Sequence, residues 1–132
     1  MKVRPRDPTG TERELRYVPP NPPVSKLNVY EVHAVSVYDG VVFVLVVEDA
    51  NTPIFLTSAL FEMVDQTIPD DWVCRLFSEG GLRMVIGPAF IAGSLRGYTS
   101  MNDSEVAPIG AFWERLAARE RRQALTDDDG EH

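Results

Sequence analysis

The side chains that could perform chemistry are few and far apart in this sequence. Cys74 is the only cysteine, and His33 is the one histidine away from the chain end, so together they form the only candidate pair of thiol nucleophile and base. Cys74 lies in "WVCRLF", and His33 lies between Val32 and Ala34. Both are segments typical of β-strands, so we expect a buried, unreactive thiol and a structural histidine.

Two further groups of residues could bind or transfer something. Asp70 and Asp71 follow Pro69 in "IPDDW", and paired carboxylates serve both metal binding and acid/base catalysis. Nothing nearby completes such a site, so we interpret them as turn residues. "GSLRGYTS", from Gly93, has glycines, hydroxyls and Arg96 but lacks the phosphate-binding motifs of known nucleotide sites. We therefore predict no enzyme activity, no metal and no cofactor.

Composition limits the class of protein. The chain has 132 residues, of which 44% are hydrophobic and 25% are charged, which is typical of one soluble domain with its own core. A single cysteine cannot form an intramolecular disulfide. The longest apolar run, residues 41–47, is too short to cross a bilayer, and "MKVRPRDPTG" lacks the apolar block of a secretory signal. We predict a cytoplasmic protein with no membrane association.

Charge is unevenly distributed along the chain, whose net charge is −7. Residues 1–26 contain six basic and three acidic side chains, a net of +3. Residues 27–74 contain eight carboxylates and neither Lys nor Arg. Because that middle segment has no basic side chains of its own, its negative charge must be balanced by other parts of the chain, by the solvent or by a partner.

The pattern of residues predicts three regions. Residues 1–26 are rich in proline and lack apolar periodicity, which predicts an extended arm that packs, if at all, through Tyr17 and Val18. Residues 126–132, "TDDDGEH", predict a disordered acidic tail, and 27–125 a single α+β domain. We expect that trimming both ends changes the melting temperature little.

The central region predicts a twisted antiparallel sheet of about five strands, with a small closed barrel as the alternative. Asp39-Gly40 lies between two β-branched runs, which is a strong hairpin signal. The predicted strands are 27–38, 41–48, 53–57, 72–77 and 82–87. An apolar stripe predicts a short helix from Ser58 to Asp65, and "APIGAFWERLAARERRQAL", residues 107–125, predicts a longer C-terminal helix.

The last predicted hairpin has a preferred register. A three-residue loop at 79–81 keeps Arg75 and Arg83 on one face of the hairpin. The other face is then formed by Trp72, Cys74, Leu76, Leu82, Met84 and Ile86. We therefore expect Trp72 and Cys74 to lie in the core.

With no catalytic group to build on, surface charge supports the leading hypothesis for function. It is a non-enzymatic module that binds a basic protein partner through carboxylates at loops and strand ends. The predicted surface is formed by Glu48, Asp49, Asp65, Asp70, Asp71 and Glu79. In size and charge alone, the chain is similar to immunity proteins that neutralise bacterial toxins, although no motif carries that analogy.

Two other functions stay open. One is an accessory protein that binds nucleic acid or another polyanion through the N-terminal arm and the last helix, where Arg115, Arg119 and Arg122 fall on one face. The other is a small enzyme that uses a Gly- and Ser-rich loop predicted over 87–106.

Overall fold

The computed structural model describes residues 1–78 and 81–93. Along the chain the elements are β1 (Lys2–Pro5), α1 (Glu12–Leu15), β2 (Tyr30–Glu31), β3 (Ala34–Tyr38), β4 (Val41–Val47), β5 (Pro53–Thr57), a 3-10 turn (Ser58–Leu60), β6 (Phe61–Asp65), β7 (Trp72–Leu76), β8 (Leu82–Pro88) and α2 (Ala89–Ala92). The helix predicted over 107–125 and the tail predicted over 126–132 lie outside the described residues.

The strands form two antiparallel sheets. One has three strands in the order β2-β1-β6, and the other has five in the order β5-β4-β3-β8-β7. The prediction of an antiparallel sheet is therefore confirmed, and the five-stranded sheet is built from the five predicted segments. The first of these begins at Ala34 instead of residue 27, and the described strands form two open sheets, not a closed barrel.

Both predicted hairpins of the five-stranded sheet have the expected register. Asp39 and Gly40 have φ of 50° and 72°, the left-handed values that a tight two-residue turn requires. This turn places Ala34 opposite Leu45 in the β3/β4 pair. In the β7/β8 pair, Leu76 lies opposite Met84, as the predicted three-residue loop requires.

The helix predicted from Ser58 to Asp65 is wrong. Only Ser58–Leu60 form a helical turn, a 3-10 turn capped by the Thr57 hydroxyl, which accepts the Ala59 N–H at 3.3 Å. Phe61–Asp65 form β6 because β1 lies alongside and pairs with it. A partner strand from a distant part of the chain thus overrides the local helical spacing of apolar residues.

The start of the arm also differs from expectation. The sequence predicts packing through Tyr17 and Val18 at most, but β1 is the central strand of its sheet and Val3 is fully buried. After β1, the Arg6 N–H donates to the Leu60 carbonyl at 2.8 Å. A four-residue strand that contains a proline leaves no periodic signal in the sequence, so only its pairing partners reveal it.

The core has two parts, one on each face of the five-stranded sheet. The part shared by the two sheets consists of Val3, Tyr30, Val32, Val44, Val46, Leu56, Leu60, Phe61 and Trp72. The part on the other face consists of Ala34, Leu45, Leu82, Val85, Ile91 and Ala92, of which the last two belong to α2. Burial on both faces explains the apolar run in the second half of β4, where Val44, Leu45 and Val46 are all buried.

Trp72 is a core residue, as predicted, but Cys74 is not. Trp72 packs in the cluster between the sheets, whereas Cys74 is exposed. Ile86 packs beside Trp72 as predicted, but Leu82 belongs to the core on the other face, because the register of β8 against β3 shifts next to Leu82. In addition, β7 is an edge strand and only its first residue reaches the core. The expectation that this thiol is buried is therefore wrong, and its lack of reactivity stays a prediction.

We predict that Trp72→Ala lowers the free energy of unfolding by ~3 to 5 kcal/mol, because it removes a large buried ring and leaves a cavity between the sheets. Cys74→Ala is the matched control on the same strand and should change stability by less than about 0.5 kcal/mol, since it alters an exposed side chain. Urea denaturation of both variants measures the difference. Equal effects would contradict the assignment of Trp72 to the core.

We also predict that Val3→Asp destabilises the protein severely, because it places an unpaired carboxylate among buried apolar side chains. Lys2→Asp changes the neighbouring exposed position and should have a much smaller effect. Thermal unfolding followed by circular dichroism compares the two. If both variants melt like the parent chain, β1 does not contribute to the folded core.

Candidate acidic interaction surface

Four of the six predicted surface carboxylates lie at the same end of the five-stranded sheet. Glu48 and Asp49 follow β4, which ends with Val47 opposite Pro53. Asp70 and Asp71 precede β7, which begins with Trp72 opposite Pro88. The antiparallel order brings the end of β4 and the start of β7 to the same end of the sheet. The two strands are three strand spacings, or roughly 15 Å, apart. We call Glu48, Asp49, Asp70 and Asp71 the acidic end.

The turn between β4 and β5 fixes the first pair of carboxylates. The Glu48 N–H donates to the Thr52 carbonyl at 3.0 Å, and the Asn51 N–H donates to the Glu48 carbonyl at 2.9 Å. Asn51 has a φ of 61°, a left-handed conformation that asparagine tolerates better than most residues. The turn therefore holds Glu48 and Asp49 in one backbone arrangement.

The N-terminal arm contacts this turn. The Asp49 N–H donates to the Pro23 carbonyl at 3.1 Å, and the Asp49 carboxylate accepts a hydrogen bond from the Tyr30 hydroxyl. That hydroxyl in turn accepts the Ser25 N–H at 2.8 Å. The carboxylate of Asp49 is thus oriented by the fold while the residue stays exposed.

The other two predicted residues are placed differently. Asp65 ends β6 in the three-stranded sheet and accepts the Thr67 N–H at 2.8 Å. That hydrogen bond lowers the pKa of Asp65, and the positive charges of the chain N-terminus and Lys2 add to the effect. Glu79 lies outside the described residues. The six-residue surface therefore stays a prediction. Four of its residues, the acidic end, lie together at one end of the five-stranded sheet.

The basic residues of the arm pair with other carboxylates. Arg4 lies 3.6 Å from Glu62, and Arg13 lies 4.0 Å from Asp39. Lys26 pairs with Asp7 within the arm itself. Such exposed pairs contribute little stability. Their location matters more, because the arm offsets charge on β6 and on the β3/β4 turn rather than at the acidic end.

Sequence reasoning missed the role of Asp39. Its carboxylate accepts a hydrogen bond from the Tyr17 hydroxyl at 2.8 Å, and its carbonyl accepts one from Arg13 Nη1 at 3.3 Å. The ring of Tyr17 lies edge-on to Phe43, with centroids 5.0 Å apart. The hydrogen bond to Asp39 raises the pKa of Tyr17, with burial and the negative charge adding to it. Nothing in the sequence marks this long-range contact.

A second missed feature is a cleft of about 320 Å³ between the arm and the 3-10 turn. Its walls are formed by Pro5, Arg6, Asp7, Pro8, Val18, Pro19, Pro20, Pro22, Val24, Lys26 and Leu60. Most of this surface is apolar, with the charges supplied by Arg6 and the Lys26–Asp7 pair. The cleft is at the small end of the range for ligand pockets and could hold a compact apolar group. The clustered prolines are the only sequence signal for it.

The other candidate residues give no second site among the described residues. His33 is buried and its N–H donates to the Leu45 carbonyl at 2.8 Å, while Cys74 is exposed at the sheet edge. Of the loop predicted over 87–106, in which a short helical turn is expected near Pro88 to Ile91, residues 87 and 88 complete β8 and Ala89–Ala92 form α2, with Gly93 as its C-terminal cap. Residues 94–106 lie outside the described residues. Arg115, Arg119 and Arg122 lie outside them as well.

Within residues 1–78 and 81–93, no cluster of His, Cys, Asp or Glu could hold a metal ion. No helix in that part of the chain has the length and apolarity to cross a membrane. Comparison with family models, with curated proteins and with solved structures finds no match for this chain.

We predict that Asp39→Ala lowers the pKa of Tyr17 towards 10.0, because it removes the hydrogen-bond acceptor and the negative charge that favour the neutral phenol. A pKa raised by folding means that this contact stabilises the fold at neutral pH. The contribution disappears as the pH rises through the raised pKa, above 10.0. NMR titration of the Tyr17 ring measures the shift. Glu62→Ala, which removes a carboxylate from another strand, should leave it unchanged.

Proposed function

We propose that this protein is a non-enzymatic binding module that recognises a basic protein partner through the acidic end of its five-stranded sheet. The observation that carries the proposal is that two pairs of carboxylates, distant in sequence, lie at the same end of the five-stranded sheet. They are Glu48 with Asp49 and Asp70 with Asp71. Partner recognition by charge needs such a cluster, because the field of several like charges steers a complementary surface during encounter.

The distribution of the arm's cations supports the same proposal. Arg4, Arg13 and Lys26 make their ion pairs with Glu62, Asp39 and Asp7, none of which belongs to the acidic end. An acidic surface that serves only solubility could be spread over the whole molecule. Here the arm reduces the negative charge elsewhere, so the contrast between the acidic end and its surroundings increases.

The rigidity of the β4/β5 turn is a further support. Glu48 and Asp49 are held by the turn's own hydrogen bonds and by Pro23 and Tyr30. A surface that is already ordered loses little conformational entropy when it binds. In this proposal the module acts by occupying and neutralising a basic site on its partner, as an inhibitor or immunity-type protein would.

Charge reversal at the acidic end provides the test. The full-length chain is used to isolate a binding protein, which is then purified and measured by surface plasmon resonance. Asp70→Lys with Asp71→Lys should reduce the association rate by about tenfold or more at low salt, and the reduction should shrink as salt screens the charges.

Glu12→Lys with Glu31→Lys is the matched control, because it makes the same change in net charge at exposed positions on α1 and β2. It should reduce the rate much less than the reversal at 70 and 71. If both double variants slow association equally, net charge alone acts and the acidic end is not the binding surface.

The polyanion-binding alternative makes the opposite forecast in the same assay. With DNA or RNA as the analyte, Arg119→Glu with Arg122→Glu should weaken binding and reduce its salt dependence, whereas added lysines at 70 and 71 should strengthen it. Three basic residues of the arm, Arg4, Arg13 and Lys26, already form ion pairs with carboxylates of the same chain. Nucleic-acid binding with that ranking would replace the proposal made here.

A further inference from the structure

We propose that β7 is a self-association strand, through which two copies of the chain join their five-stranded sheets in a symmetric dimer. This inference concerns the sheet edge and does not depend on the proposed recognition of a basic partner. It starts from the position of β7, which pairs with β8 on one side and with no strand on the other among the described residues.

The side chains of β7 are unusual for an uncovered edge. Leu76 is 75% exposed and Val73 is 40% exposed, and they lie on opposite faces of the strand. Cys74 is exposed as well. Edge strands of monomeric proteins are normally interrupted by proline, a bulge or several charges, and the other edge of this sheet does begin with a proline, Pro53. Arg75 is the only charged residue within β7.

The backbone of β7 shows which groups face the open edge. The Phe77 N–H donates to the Arg83 carbonyl at 2.9 Å, which makes 77 and 83 a hydrogen-bonded pair. Because hydrogen-bonded and non-hydrogen-bonded pairs alternate in an antiparallel ladder, Arg75 also bonds towards β8. The N–H and C=O groups of Cys74 and Leu76 therefore point away from the sheet, where a second strand can bind them.

Charge disfavours one of the symmetric registers that use these groups and favours another. A pairing centred on Arg75 would place Arg75 directly opposite Arg75 of the second copy, and like charges in that position repel. A pairing centred on Cys74 places Arg75 opposite Val73 of the second copy. The right-handed twist of the strands then brings Arg75 diagonally towards Asp71 of the second copy rather than towards its Arg75.

The register centred on Cys74 satisfies the outward backbone groups as well. Cys74 exchanges two hydrogen bonds with Cys74 of the second copy. Each Leu76 N–H donates to the Trp72 carbonyl of the other copy, while the Trp72 N–H already donates to the Pro69 carbonyl at 3.2 Å. Arg75 Nη1 donates to the Gly93 carbonyl at 2.8 Å, and the guanidinium keeps other N–H donors for the carboxylate across the interface.

A second copy suits this edge better than an unrelated strand, because Arg75 of β7 and Asp71, which precedes β7, flank Cys74 with opposite charges. Symmetric pairing uses the same surface on both chains and closes after two copies. The interface is short, so the dimer should be weak and should dissociate on dilution.

Sedimentation velocity of the full chain over a wide range of concentrations gives the first test, and a concentration-dependent shift from monomer to dimer is expected. Leu76→Pro should remove the shift, because it deletes an N–H that faces the open edge without breaking a bond to β8. A parent chain that stays monomeric at every concentration, as it would if residues 94–132 covered this edge, overturns the proposal.

Charge exchange keeps the proposal testable if Leu76→Pro fails to fold. Arg75→Asp and Asp71→Arg should each weaken the dimer, and the two substitutions together should restore it, since the diagonal pair is rebuilt with its signs reversed. Restoration would not follow from a merely structural role of Arg75. Loss of the dimer in the double variant, or no loss in either single variant, contradicts the register.

A short bismaleimide cross-linker locates the contact. The parent chain should yield a covalent dimer through its single thiol at Cys74. The control moves that thiol to another exposed site by Cys74→Ser with Leu27→Cys, since Leu27 is 93% exposed. The control should yield much less dimer. Equal yields from the two chains would show that β7 is not the interface.

Discussion

The pairing of β1 with two strands from different parts of the chain is the interaction on which the rest of the fold depends. β2 and β6 are joined only through β1, because Lys2–Pro5 lies between them. The sheet they form covers one face of the larger sheet and completes the core around Trp72. The cleft wall at Pro5 and Leu60 and the contact between Tyr30 and Asp49 rest on the same placement.

The arm also accounts for much of the charge distribution. Its basic side chains pair with carboxylates at the β3/β4 turn and on β6. At the opposite end of the five-stranded sheet, Asp49 is hydrogen-bonded instead to the Pro23 carbonyl of the arm and to the hydroxyl of Tyr30, which follows the arm. Neutral hydrogen-bonding groups orient Asp49 without cancelling its charge. The same segment of chain thus reduces charge at one end of the five-stranded sheet and preserves it at the other.

The parts of the fold that sequence predicts are those decided by neighbouring residues. Asp39-Gly40 has the backbone freedom that its turn needs, and the spacing between Leu76 and Met84 admits one register that separates arginine from apolar side chains. β1 and β6 could not be predicted in this way, because their stability comes from each other. The exposure of Cys74 escaped prediction for a related reason, since alternation gives the face of a strand but not the extent of the core that covers it.

In the candidate surface, too, neighbouring residues predict one part and long-range pairing decides the rest. The sequence identifies carboxylates at loops and strand ends. Only the strand order shows that Asp49 and Asp70 lie at the same end of one sheet while Asp65 belongs to another sheet. The cleft depends on prolines whose rings meet only after the arm has folded against Leu60.

The separation between β1 and β6 has a consequence for synthesis. Val3 pairs with Met63, so the first strand leaves the ribosome well before the strand it needs. Contacts between distant parts of a chain form slowly, because the entropy cost of closing a long loop precedes the stabilisation that the contacts provide. Until β6 is made, Val3 and Pro5, the two residues of β1 that become buried, lack the strand that pairs with them on one side, although β2 has already been made on the other. The three-stranded sheet can therefore close only after Asp65 has left the ribosome.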